Sequence, residues 1–83
     1  MPIRVKVFYF GQARDAAGTG EEEVSLPSTS SVGTLVSKST KEHRLLQRLS
    51  RSLRIAVNEE IAGDDDLLKD GDVVAFLPPV AGG

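Results

Sequence analysis

The chain has no cysteine and no tryptophan, and only one tyrosine and three phenylalanines. Without thiols there can be no disulfide framework, thiolate zinc site, iron–sulfur cluster or cysteine nucleophile. Long apolar runs are missing too. None approaches the roughly 20 residues of a membrane span, and no signal-peptide core follows Met1. Nor is charge of one sign in excess: ten Lys and Arg against twelve Asp and Glu leave a formal net charge of −2. That balance excludes a generally polycationic nucleic-acid binder. At 83 residues there is room for one domain, whose small core buries about 60–65% of the unfolded surface. A self-contained active site has little space. The expectation is a small, soluble, cytoplasmic domain with no membrane and no nucleic-acid partner.

What is present suits a globular fold, with 40% hydrophobic and 27% charged residues. The charges are sorted along the chain. Lys38, Lys41, Arg44, Arg48, Arg51 and Arg54 stand against a single Glu42. Further on, Glu59, Glu60, Asp64, Asp65, Asp66, Asp70 and Asp72 stand against a single Lys69. Such blocks read as solvated faces that complement each other or a partner. The basic block has no interleaved aromatics on which bases could stack.

Hydrophobic periodicity orders the elements. From Pro2 to Phe10, Ile3, Val5, Val7 and Tyr9 fall on one face of a strand, and Arg4, Lys6, Phe8 and Phe10 on the other. Gly11 ends that strand, and Gln12–Gly20 reads as a short helical turn or loop. Glu21–Leu26 alternates again with Val24 and Leu26 inward, which makes the first two strands antiparallel neighbours. Ser30 or Ser31 offers an N-cap for a helix carrying Val32, Leu35 and Val36 on its apolar face. That face then meets Ser39 and Thr40. The helix is either interrupted there, or the hydroxyls bond back to earlier carbonyls. Leu45, Leu46 and Leu49 resume an apolar stripe, Leu53–Asn58 is a strand, and Asp70-Gly71-Asp72 is a turn before a last strand, Val73–Leu77. The order predicts an α+β fold of β-grasp type over residues 1–77, a mixed sheet of about four to five strands curled around one main helix.

The final six residues, Pro78-Pro79-Val80-Ala81-Gly82-Gly83, read as a flexible tail. Two prolines cannot continue a central ladder, and they stiffen the exit from the last strand. Fully extended, the tail reaches about 20 Å, far enough to enter a cavity in another protein. Gly82 and Gly83 have no Cβ and could pass a constriction that blocks any other residue. What they deliver is the α-carboxylate of Gly83. Elsewhere the signals are weak. Asp64–Asp66 lacks EF-hand spacing and reads as a solvated loop, and Gly11–Gly20 lacks a P-loop ending. His43 is expected on the surface with no ligand set nearby, and no metal site is expected. There is no plausible nucleophile–base pair.

Three segments carry a resemblance: Ala56-Val57-Asn58-Glu59, Asp70-Gly71-Asp72-Val73-Val74-Ala75-Phe76 and the tail. With Phe8-Tyr9-Phe10-Gly11-Gln12-Ala13-Arg14 they resemble the MoaD family, the sulfur-carrier small subunits of molybdopterin synthase. Lys38–Ser52 departs from the family in its arginines and in Ser39 and Thr40. The resemblance implies that an E1-like, MoeB-like enzyme adenylates the Gly83 carboxylate. A sulfur donor then displaces AMP to give a thiocarboxylate. The tail enters a MoaE-like large subunit and gives its sulfur to a cyclic pyranopterin, building the dithiolene of molybdopterin. It further implies a heterotetramer with two copies of each subunit, catalytic side chains on the large subunit, and no bound cofactor, ATP being consumed by the activating enzyme. Phe10, Ile61 and Leu77 align with apolar positions that the family uses against its partners. Phe8 shares their face by parity. Two relatives of this chemistry compete: a ubiquitin-like modifier joined to lysines through Gly83, and a ThiS-like carrier for thiazole synthesis, which the diproline disfavours. A basic-helix RNA or membrane binder is the remaining alternative.

Overall fold

The structure is a computed structural model that describes residues 1–79. Its elements run β1 (Ile3–Tyr9), α1 (Gly11–Ala17), β2 (Glu21–Leu26), α2 (Val32–Glu42), α3 (Arg44–Gln47), β3 (Arg54–Val57), β4 (Glu60–Ala62) and β5 (Val73–Leu77). They form one five-stranded sheet in the order β2-β1-β5-β3-β4. The central strand β5 is parallel to β1, and every other neighbouring pair is antiparallel. Alternation sets the inner face: Val5, Val7, Tyr9, Val74 and Phe76 are all at most 2% exposed. Ala13 of α1, Val32 and Leu35 of α2 and Leu46 of α3 close over them, so all three helices cover one side. This is the β-grasp arrangement.

Local chemistry explains the boundaries. The Ser31 Oγ accepts the Thr34 N–H at 3.2 Å, capping α2. The polar step in the apolar face of α2 does not interrupt it. Thr40 Oγ1 donates to the Ser37 carbonyl at 3.1 Å, while Ser39 is buried and turns to Tyr9, 3.5 Å from its hydroxyl. The break comes later, at His43, which leaves the helical region with φ −120 and ψ 89. Of the resumed leucine stripe, Leu46 enters the core, but Leu45 remains 59% exposed. β3 and β4 form a hairpin whose two turn residues, Asn58 and Glu59, both have positive φ (51 and 73), as a turn matched to strand twist requires. Asn58 also ties that hairpin to β5. Its Nδ2 donates to Asp72 Oδ1 and its Oδ1 accepts from Val73 N, each at 3.0 Å. Asp72 Oδ2 in turn accepts from Lys69 N at 2.8 Å. The acidic turn is thus a structural clasp that sets the start of β5, and so where its far end leaves the sheet.

Candidate functional site

The outer face of the sheet is left uncovered by the helices. Register builds it in rows. Phe8 lies opposite Ala75, Ala75 opposite Ala56, and Ala56 opposite Ile61. One step further, Phe10 and Leu77 follow the Tyr9–Phe76 pair, with Arg54 opposite Leu77. The Phe8 and Phe10 rings stack at 6.5 Å. Phe10 is 48%, Ile61 62% and Val73 43% exposed, whereas Phe8 and Leu77 are half-buried among their neighbours. Ala56 is only 6% exposed although it is not part of the inner core cluster. Phe8, Phe10, Ile61 and Leu77 therefore share one surface. Ala56, Val73 and Ala75 belong to it as well, and strand parity was the signal that could have included them.

At one end of this surface β5 stops at Leu77 and the chain turns into Pro78 and Pro79. The Pro78 ring lies against Gly11: a Cβ at residue 11 would stand 3.1 Å from Pro78 Cγ. Gly11 also has φ +51, a left-handed conformation that favours glycine. The first helix thus begins directly under the root of the tail. Val80, Ala81, Gly82 and Gly83, the remaining predicted site residues, lie outside the described residues. An open groove of about 690 Å³ sits elsewhere, between α2 and the Asp64–Asp65 loop, and none of the predicted site residues lines it.

Away from that face, His43 corrects the sequence expectation. It is not a free surface residue without ligand-type neighbours. Its Nε2 is 2.9 Å from Glu22 Oε2, and its ring meets Tyr9 edge-on at 5.8 Å. Glu22 has the parity of Val24 and Leu26, so its carboxylate points to the helix side at the edge of the sheet. There it also accepts a hydrogen bond from the Tyr9 hydroxyl. Burial pushes the Glu22 carboxyl up, but the bonds from Tyr9 and His43 outweigh it and hold the group below the ordinary glutamate range. Burial, followed by the bond to Glu22, pushes the Tyr9 phenol well above its ordinary value. Glu42 joins this group: one donor atom from each of Glu22, Glu42 and His43 lies within 4.8 Å of the others. The two members of the pair are 21 residues apart, so periodicity within either element could not find it. The charged Glu22 at a core-facing position was the readable hint.

Comparison with known proteins gives this geometry a context. A family model described as the ThiS family matches residues 7–83. The molybdopterin synthase sulfur carrier subunit of Mycobacterium tuberculosis is 42% identical, over 98% of this chain and 99% of that one. Among solved structures, small archaeal modifier protein 1 of Methanosarcina acetivorans superposes with a TM-score of 0.84 at 29% identity, covering 100% of this chain and 99% of that chain. A protein–protein complex of subunits 1 and 2 of the molybdopterin-converting factor of Helicobacter pylori contains a chain matching with a TM-score of 0.70 at 27% identity, over 98% of this chain and 100% of that one. No helix among the described residues is long and apolar enough to cross a membrane. Matched by the family model from the middle of β1 onward, and by a relative along nearly all of both chains, the protein belongs to the ThiS family, in the group that holds the molybdopterin synthase sulfur carriers.

Proposed function

We propose that this chain is the sulfur-carrier small subunit of a molybdopterin synthase. The observation that carries the reading is the 42% identity to a molybdopterin synthase sulfur carrier subunit along nearly the whole of both chains. In this reading the Gly83 carboxylate attacks the α-phosphate of ATP in an E1-like partner, releasing pyrophosphate. A sulfide-level nucleophile from the sulfur donor then attacks the acyl carbon, the C–O bond to AMP breaks, and the new C–S bond leaves a thiocarboxylate. The thiocarboxylate sulfur forms a bond to a carbon of a cyclic pyranopterin held by the large subunit, displacing an oxygen substituent. Water then cleaves the resulting thioester, so the sulfur stays on the pterin and Gly83 returns to the carboxylate. The carrier supplies the sulfur, and the large subunit supplies the catalytic side chains.

The site geometry supports this division of labour. The apolar outer face around Phe8, Phe10, Ile61 and Leu77 has the character of a docking surface: aromatic and aliphatic at its centre, with Arg54 at the rim. Pro78 and Pro79 lead directly from it, so in this reading a partner that docks on that face also receives the tail. The reading includes a heterotetramer with two chains of each subunit, a cytoplasmic location, and no bound cofactor of the carrier's own. The deciding experiment is mass spectrometry of the intact chain and its C-terminal peptide from native cells, where a thiocarboxylate on Gly83 is expected. A second reading, conjugation of Gly83 to lysines, draws on the likeness to small archaeal modifier protein 1. A Gly-Gly remnant on other proteins, with no thioacid form of this chain, would replace the first reading with the second.

A further inference from the structure

The cluster at the edge of β2 lies on the helix side of the sheet, opposite the outer face, and its donor set has a chemistry of its own. We propose that Glu22, Glu42 and His43 form an open binding site for a divalent transition-metal ion, zinc by ligand type. The ion would clamp the C-terminal end of α2 to β2.

The argument is geometric. Ligand atoms around a tetrahedral zinc, at about 2.0–2.1 Å from the ion, lie roughly 3.3 Å from one another. Glu22 Oε2 and His43 Nε2 are already 2.9 Å apart, and the Glu42 carboxylate completes a set within 4.8 Å. Closing that last gap takes a side-chain rotation of Glu42. That residue is exposed, and its ion pair to Lys38 at 3.5 Å is exposed as well. Such a pair contributes little and yields easily. Two carboxylates and an imidazole suit zinc or its neighbours better than calcium or magnesium, which prefer all-oxygen shells. Water would complete the fourth position.

The surroundings resemble the outer shell that metal ligands usually have. The buried Tyr9 hydroxyl donates to Glu22 and fixes its carboxylate. The Tyr9 ring also meets the His43 imidazole edge-on and restricts its orientation. Of the three ligands, only Glu42 is unheld by the core. Binding places the Nε2 lone pair on the metal. The proton that His43 carries on Nε2 when it donates to Glu22 moves to Nδ1, or to solvent if the ring is charged.

The test uses the full, untagged chain freed of metal and titrated with zinc by calorimetry, then with cobalt(II), whose visible absorption reports its ligand field. One saturable zinc per chain is expected, with a rise in Tm because the ion binds only the folded state. His43→Gln should abolish the cobalt spectrum. Glu42→Gln should weaken zinc at least tenfold, and at this exposed position it leaves the fold intact even if His43→Gln does not. No saturable zinc binding by the parent chain, or unchanged affinity in Glu42→Gln, overturns the proposal. Metal binding is read without partner, ATP or pterin, so the outcome is independent of the sulfur-carrier reading.

Discussion

Both faces of the sheet carry apolar side chains around β1 and β5, and these meet opposite fates. Inside, Val7, Tyr9, Val74 and Phe76 disappear beneath three helices. Outside, Phe8, Phe10, Val73, Ala75 and Leu77 alternate with them along the same two strands, with no helix over them. Apolar content therefore does not distinguish core from candidate interface here. Only coverage does. An outer face this apolar at the centre of the sheet, on β1, β5 and β3, is costly to leave in water unless a partner covers it.

If that contrast is right, the largest loss of stability belongs to the inner face. Phe76 has no exposure and meets Tyr9 edge-on at 5.1 Å. Phe76→Ala should cost about 3–5 kcal/mol in urea unfolding. A domain of this size has roughly 4–12 kcal/mol in total, so the variant stands near the threshold of folding. A loss below about 1 kcal/mol would mean that the helices do not seal this face as described.

Next comes Tyr9→Phe, which keeps the buried ring and removes the hydroxyl. The Glu22 carboxylate loses a donor at a partly buried site, and a hydrogen bond to a charged group is worth about 1.5–3 kcal/mol. The same unfolding experiment measures it. Pairing it with Glu22→Gln in a double-mutant cycle separates the bond from the general cost of each change.

These two positions also show what could be read from the sequence. Strand parity identified the inner rows and the last strand, and capping chemistry placed the start of α2 at Ser30 or Ser31, because each depends on neighbours within a few residues. The β3–β4 hairpin was harder. Asn58 reads as a strand end until Asp72, 14 residues later, supplies the partner that holds its positive-φ turn. His43 and Glu22 were missed for the same reason: neither is unusual until α2 brings its end over the edge of β2. The outer-face residues could be grouped by parity, but their proposed purpose came from the likeness of Ala56–Glu59, Asp70–Phe76 and the tail to a known family. The Gly83 carboxylate, proposed as the reacting group, has no periodicity at all; the chemistry of the tail and its family likeness point to it.

Gly11→Ala should lie between the faces in effect, at about 1–2 kcal/mol, since it combines a left-handed backbone with the 3.1 Å approach to Pro78. Gly18→Ala is its control. Gly18 has φ +75, and nothing lies within 4 Å of an added Cβ. Both variants carry the backbone strain, and only the first disturbs the root of the tail. Equal stability with unequal sulfur transfer would assign the Gly11–Pro78 contact to aiming the tail. Equal transfer by both would reduce Gly11 to a turn residue.

The smallest expected change in stability comes from Phe10→Asp, and it sharpens the comparison most because its two effects separate. Phe10 is half exposed, and its side chain makes no capping bond although it occupies the N-cap of α1. Aspartate is among the best N-cap residues, worth about 0.5–2 kcal/mol over a residue that cannot cap, and this offsets the lost stacking on Phe8. Net stability should stay within about 0.5 kcal/mol of the parent. The same substitution puts a charge on the proposed docking face, at its end beside Leu77 and the root of the tail, where desolvating it opposes association. Affinity for the large subunit of a molybdopterin synthase, read by calorimetry, should fall tenfold or more. Unfolding would return Phe10 to the core, while unchanged affinity in a folded variant would move the interface to another surface. A stable fold with failed docking is the result that only an uncovered outer face predicts.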